Sequence, residues 1–440
     1  MNQILETNQI VRTSPSALQC RVLRLLGGGG QGEVYLADLH GKLVALKWYR
    51  PIAATPRQQT GLEELVRKGS PDERFLWPLE LAFDPQTPGF GYVMLLREPR
   101  FKSLYDLMKC RIAPSFRTLA TVGLSLSDAF LRLHSQGLCY RDINFGNVFF
   151  DPDTGEVLIC DNDNVAVDGE DEGVLGTPRF MAPEIVRGDA RPTSQSDLFS
   201  LAVLLFYIFM VHHPLEGAQE ASIKALDAPA MKWLYGTKPV FIFDPVDRCN
   251  APVPGLHDNA VIYWSIYPQF FRDLFTKAFT DGIRDPRNGR VRESEWRATM
   301  VRLRDSIVYC PACNEQNFYD GDALKASGGK APACWACQKE VRLPPRIRIG
   351  KSTIVMLNHD TRLFPHHVDD RCGYDFSEPI AEVAKHPTDA RIWGLKNVSK
   401  TQWTGQIADG TTRDVPPGRS VTLAAGTRIN FGQREGEIRV

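Results

Sequence analysis

Five glycines in six positions, Gly27–Gly30 and Gly32, break the chain between two strand-like segments, CRVLRLLG and EVYLADL. Without a Cβ, such a loop turns tightly and its backbone can approach a bound group closely. A third strand-like segment, KLVALKWY, follows, then a helical stretch around Gly61–Lys68 and a further strand in GYVMLL. After Thr118 the helical period dominates, in TLATVGLSLSDAFLRLHSQ, DLFSLAVLLFYIFM, YPQFFRDLFTKAF and SEWRATMVRLRDSI, with one strand in NVFF. A strand-rich opening joined to a helical continuation predicts a two-lobed α+β body over residues 1–307, its first lobe ending near residue 97.

Beyond that body the texture changes twice. Residues 308–342 carry two Cys-x-x-Cys pairs around the stretch GDALKASGGKAPA. Residues 343–440 open on Leu343, Pro344 and Pro345 and continue as short strand-like runs, STIVML, SVTLAA and RINFG, separated by turn residues. The longest apolar run, Leu201 to Val211, falls short of the about 20 residues a bilayer span needs, so it predicts a buried core helix. The polar opening MNQILETNQIVRTSPSALQ has no signal-peptide core. With 52 basic and 52 acidic residues, net charge gives no argument for a nucleic-acid or membrane partner, and neither is expected. Ten cysteines in a 440-residue chain, four of them in paired knuckles, point to a metal site in a reducing compartment, here the cytoplasm.

Several short motifs carry chemistry. Read against G-x-G-x-x-G-x-V, the glycines fall at Gly27, Gly29 and Gly32, with Val34 after them. Lys47, bracketed by apolar residues in VALKWY, is either an edge-strand lysine facing solvent or a charge that pairs with phosphates. In YRDINFGN, Asp142 and Asn147 stand five residues apart, as in R-D-x-x-x-x-N; Asp142 can accept a hydroxyl proton and Asn147 can hold Mg²⁺. Asp161 closes the apolar strand VLIC, at the interval that suits a Mg²⁺ ligand. GTPRFMAPE, ending at Glu184, and SDLFSLA, with Asp197, complete the series.

Taken in order, these motifs resemble the Hanks-type (eukaryotic-like) protein kinases over about residues 18–307. The resemblance implies a bilobal protein-kinase fold that binds ATP with Mg²⁺ or Mn²⁺. It places Gly27, Gly28, Gly29, Gly30, Gly32, Val34, Ala45 and Lys47 around the nucleotide. Met94 falls at the gatekeeper position, and Leu95 to Arg97 form the hinge that meets adenine. Asp142 becomes the catalytic base, Asn147 and Asp161 the magnesium ligands, and Thr177 the residue that bridges to Asp142. Glu184 should pair with Arg290, and Asp197 should support the catalytic-loop backbone. A helix glutamate should pair with Lys47: Glu64 fits best by spacing, and Glu63 is the other candidate.

The sequence also departs from the family. His is replaced by Tyr140 in YRDIN, and Asn144 stands where Ser/Thr kinases aim a lysine at the γ-phosphate. The metal-binding triplet reads Asp161-Asn162-Asp163, and Asp163 is expected either as a solvated loop acid or as a second carboxylate near the metal. Cys160 is expected to pack as a small apolar residue. The segment from Asp161 to Gly176 contains no hydroxyl, but does carry Asp168, Glu170, Asp171 and Glu172; one of these is expected to pair with Arg141 in place of a phosphate.

Cys310, Cys313, Cys334 and Cys337 form C-x₂-C-x₂₀-C-x₂-C, the spacing of a zinc ribbon whose four thiolates close a structural Zn²⁺ site. The segment after it, with GLKNVSKTQW and AGTRINFG, resembles a degenerate forkhead-associated (FHA-like) sandwich, without that family's Gly-Arg start or Ser-x-x-His. It reads as a structural or partner-docking module. The whole order (kinase, ribbon, sandwich) is similar to the bacterial kinases of tellurite-resistance-type stress triads. That similarity implies a PP2C-type phosphatase and a von Willebrand A-like protein as partners. The function expected is ATP-dependent Ser/Thr phosphorylation of a protein substrate. The competing readings are a nucleotide-binding pseudokinase scaffold and a small-molecule kinase.

Overall fold

The computed structural model describes residues 3–168, 174–389, 391–407 and 409–440. It divides into two compact units. The first comprises Met1–Pro114, Thr121–Val261 and Leu274–Arg297; the second comprises Ser115–Ala120, Ile262–Asp273 and Ala298–Val440.

The first unit opens with six strands: β1 (Ile10–Ser14), β2 (Gln19–Gly28), β3 (Gly32–Leu39), β4 (Lys42–Tyr49), β5 (Glu80–Phe83) and β6 (Gly91–Leu95). They close into an antiparallel barrel in the order β1-β2-β3-β4-β6-β5. Strand β1, in the polar opening where no strand was expected, closes it by pairing with both β2 and β5. Strand residues alternate between two faces. On β4 this sends Val44, Leu46 and Trp48 into the barrel core with Val11, Val22, Tyr35 and Val93. Ala45 and Tyr49 go to the other face, with Leu81, Tyr92 and Met94, and Lys47 shares their parity.

Helix α1 (Pro56–Lys68) covers that second face through buried Leu62, with Val66 packed against the same cluster. Its limits follow from its ends. Thr55 caps the N-terminus by accepting from Gln58 N, Pro56 takes the first turn, and Gly69 at φ 78° stops the helix. Basic Arg67 and Lys68 complement the C-terminal dipole.

The rest of the first unit is mainly helical. The helix Ser194–Met210 is buried at every position from Ser196 to Met210. That explains a segment apolar on all sides, which a surface helix would not tolerate. Its entry is fixed by Ser196, whose hydroxyl accepts from the Thr193 N–H at 2.9 Å. No helix among the described residues is long and apolar enough to cross a membrane.

The second unit contains two antiparallel sheets. Six strands run in the order Thr353–Met356, Arg346–Ile349, Glu435–Arg439, Arg428–Asn430, Trp403–Gln406 and Thr412–Val415. Four more run as Arg362–Leu363, Ala381–Lys385, Trp393–Asn397 and Ser420–Thr422. Ile347, Leu363, Leu395, Trp403, Ile429 and Ile438 from both sheets form one apolar cluster. A separate two-stranded ladder, Ile307–Tyr309 with Gln316–Phe318, leads into the cysteine-bearing turns.

Candidate active site

The glycine loop lies between β2 and β3 and is closed by Gly29 N donating to Gly32 O at 2.8 Å. A Cβ on Gly32 would come within 2.2 Å of the Trp48 carbonyl, so the approach of β4 demands glycine there. At Gly27, Gly29 and Gly30 a Cβ would meet no heavy atom of the described residues within 4 Å beyond its own chain neighbours. Folding does not require glycine at those three positions, whereas a phosphate approaching the backbone does. Val34 lies opposite Lys47 in the β3–β4 ladder, and Ala45 lies opposite Met94 in the β4–β6 ladder. Leu95 ends β6 with its side chain exposed, and Arg97 stacks on Phe149 while donating to the Phe101 carbonyl.

Lys47 is buried. Its Nζ lies 2.8 Å from Asp163 Oδ2 and 3.3 Å from Asp161 Oδ1. Burial alone would lower the lysine pKa; the charges of Asp163 and Asp161 outweigh it and raise it. Burial raises the Asp161 carboxyl, opposed by Lys47 and reinforced by Asp163. The structure does not bring Glu64 to this lysine. Glu63 and Glu64 are both exposed on α1, and Glu63 accepts from Gln59. The buried stripe of α1 runs through Leu62 and Leu65, and one turn earlier Gln58 donates to Tyr49 Oη at 3.3 Å and to the Asp163 carbonyl at 3.1 Å. Spacing to the next strand selected Glu64; the helix face selects Gln58. The expectation of a solvated Asp163 is likewise corrected, because its side chain is fully buried. Asn162 is buried too and donates to the Ile159 carbonyl at 3.0 Å.

The catalytic-loop candidates converge. Asn147 spends its amide N–H on the Asp142 carbonyl at 3.0 Å, which leaves its oxygen available. Asp161 is brought near by Cys160 N donating to the Asn147 carbonyl at 2.8 Å. A carboxylate and an amide oxygen are hard ligands of the kind Mg²⁺ selects. Thr177 Oγ1 donates to Asp142 Oδ1 at 2.8 Å. Gly176, at φ 108°, has no room for a Cβ, which would sit 2.8 Å from the Arg141 carbonyl. Asn144 turns inward: it accepts from Gly146 N at 2.7 Å and donates to the Asp142 carbonyl. Cys160 packs among apolar residues, and burial pushes its thiol up to about 12.

Asp197, buried in the helix Ser194–Met210, accepts from the backbone N–H of Tyr140 and of Arg141, the latter at 3.0 Å. His134 bridges Asp197 and Glu293. Burial would lower its pKa, but the two carboxylates win and raise it to about 9. Tyr140, in the family's histidine position, donates its hydroxyl to the Cys160 carbonyl, so it links the catalytic loop to the residue just before Asp161. Further along, Glu184 receives Arg290 Nη2 on both oxygens, at 2.9 and 2.8 Å. Arg179 is gripped by both oxygens of Glu216, a pairing the motifs did not signal. Asp168 is committed to Ser194, accepting its N–H and hydroxyl. Glu170, Asp171 and Glu172 lie outside the described residues.

In the second unit, Cys310, Cys313, Cys334 and Cys337 place their sulfurs within 4.8 Å of one another. Cys310 and Cys337 are 3.6 Å apart at sulfur, and Cys313 and Cys334 are 3.7 Å apart. Four thiolates about 2.3 Å from a tetrahedral metal ion lie roughly 3.8 Å from each other, so the donor set fits such an ion.

The sequence profile of the protein kinase domain matches residues 20–248, just over half of the chain. Over 214 residues the chain is 29% identical to the serine/threonine-protein kinase pkn2 of Myxococcus xanthus, covering 45% of this chain and 25% of that protein. Over 220 residues it is 34% identical to the DNA damage-responsive serine/threonine-protein kinase RqkA of Deinococcus radiodurans, covering 46% and 31%. The human protein kinase C delta type is 28% identical over 213 residues, covering 45% and 30%. The chain thus spans a quarter to a third of the length of these curated relatives.

Proposed function

Because the chain belongs to the protein kinase domain family, we propose that it is an ATP-dependent Ser/Thr protein kinase. The observation that carries this is the convergence of Lys47 and Asp161 on one side and Asp142, Asn147 and Thr177 on the other. In this reading the glycine loop covers the triphosphate with Gly27–Gly30, Gly32 and Val34, and Ala45, Met94, Leu95 and Arg97 bound the adenine. Lys47 offers its ammonium to the phosphates. Asp161 and Asn147 hold Mg²⁺, which neutralises charge on the transferred group when bound. Asp142 accepts the proton of the attacking hydroxyl, and Thr177 fixes the carboxylate's orientation. The protein contributes mainly positioning and electrostatic stabilisation.

The remaining modules extend the proposal. Residues 308–342 form a zinc ribbon in which the four thiolates close the ion's coordination, so its role is structural. Residues 343–440 form an FHA-like sandwich that docks partners, and the catalytic module ends near residue 307. The module order supports a place in a bacterial stress-signalling triad with a PP2C-type phosphatase and a von Willebrand A-like protein. Ten unpaired cysteines support a reducing, cytoplasmic setting.

The test is transfer of γ-phosphate to protein by the purified chain, with and without Mg²⁺. Lys47→Ala is expected to lower the rate by several orders of magnitude, and Asp161→Asn to weaken nucleotide binding only when Mg²⁺ is present. Parental transfer by Lys47→Ala would overturn the assignment. Nucleotide binding without transfer in the parent would favour the scaffold reading.

A further inference from the structure

A lysine that must meet phosphates from a buried strand needs a carboxylate to hold its ammonium in one pose. Lys47 has side-chain exposure of only 6%, and that of Asp163 is 0%. A buried ammonium is stable only when paired with good geometry. The α1 face turned toward it carries no acid: Gln58, Leu62 and Leu65 form that face, and Glu64 points to solvent.

The acid comes from the loop instead. Asp161 sits in the left-handed region at φ 51°, and a single 3₁₀ turn follows over Asn162–Asn164. That turn places two carboxylates, two residues apart, on the same ammonium. They are not equivalent. Asp161 is partly exposed and is the carboxylate read as a metal ligand. Asp163 is enclosed and makes the shorter contact, 2.8 Å against 3.3 Å. It is also held in place: Tyr49 donates its hydroxyl to the same Asp163 oxygen, and Gln58 donates to its backbone carbonyl. Tyr49 lies two residues from Lys47 on the same strand face, so β4 and α1 clamp the acid together.

We propose that Asp163 is the positioning residue for Lys47, a loop-borne carboxylate doing what a helix glutamate would do, with neutral Gln58 as the contact from α1. Lys47 is then oriented by the loop that carries Asp161. Outward movement of α1 would remove Gln58 from Asp163 but would not carry away the charge that pairs with Lys47. The inference rests on the kinase reading above.

The experiment uses the full chain and two readouts: steady-state phosphoryl transfer, and Mg·ADP affinity by calorimetry. In transfer, Asp163→Asn is expected to lower kcat at least tenfold, while Glu64→Gln stays within twofold of the parent. In binding, Asp163→Asn added to Lys47→Ala is expected to change Mg·ADP affinity by less than twofold, because the acid acts through the lysine. If Asp163→Asn does not fold by circular dichroism, Tyr49→Phe replaces it; it removes the hydroxyl holding Asp163 and is expected to lower kcat with Lys47 present. Parental kcat in Asp163→Asn, or in Tyr49→Phe where it is the variant used, overturns the inference. So does a tenfold further loss of binding in the Lys47→Ala background, or a loss confined to Glu64→Gln. A parent that neither binds Mg·ADP nor transfers phosphate would instead overturn the kinase reading itself.

Discussion

Thr177 donates its hydroxyl to Asp142 Oδ1 at 2.8 Å. The carboxylate proposed to take the substrate proton is therefore oriented by a hydroxyl 35 positions further along the chain. A hydrogen bond to a charged group contributes about 1.5–3 kcal/mol, or about 10- to 150-fold in rate if it is made fully in the transition state. Thr177→Val is expected to lower kcat by that range and leave the KM for ATP within threefold, measured by steady-state kinetics.

Glu184 and Arg290 form an enclosed pair, with side-chain exposures of 13% and 2%. Among the described residues, Nε and Nη1 of Arg290 are buried without a hydrogen-bond partner, so the guanidinium depends on this carboxylate. Glu184→Ala leaves that charge uncompensated and is expected to cost about 3–5 kcal/mol in urea unfolding. The double variant Glu184→Ala, Arg290→Met is expected to recover part of the loss, because no buried charge is then left alone.

His134 predicts a pH dependence. Its pKa is raised from 6.5 to about 9 by Asp197 and Glu293 against the opposing effect of burial. The folded protein therefore binds the proton more tightly than the unfolded chain does. The stabilisation is complete below pH 6.5 and is lost as pH rises through about 9. Thermal midpoints are expected to fall across that window, and the slope is expected to flatten in His134→Gln.

The cysteine cluster predicts one Zn²⁺ per chain by elemental analysis of protein purified without chelator. Cys334→Ser is expected to abolish zinc retention and unfold residues 308–342 while Mg·ADP binding persists, because metal binding there is folding energy for that module. Zinc-free parent protein would contradict this.

What was legible in the sequence was chemistry at fixed short spacing. Asp142 and Asn147 share one loop, so five positions of separation determined their meeting. The two Cys-x-x-Cys knuckles were legible for the same reason. Asp197 and Glu184 could be placed because the resemblance named both and their partners. The partner of Lys47 was not legible. LEEL places two glutamates between two buried leucines, and only the packing of α1 decides which side faces the strand. Asp163 looked like a loop acid because its burial depends on a lysine 116 positions away. Strand β1 was missed because only Val11 and Thr13 of IVRTS are buried, too short an alternation to stand out from a polar opening.

The most direct test of the proposed kinase activity is γ-phosphate transfer from radiolabelled ATP to protein by the full chain, compared with Asp142→Asn. The substitution keeps the side chain's size and its Thr177 contact but removes the proton acceptor. Mg²⁺-dependent phosphoserine or phosphothreonine is expected in the parent, with a loss of at least a hundredfold in Asp142→Asn and Mg·ADP affinity within threefold. Equal transfer by the two proteins would contradict it.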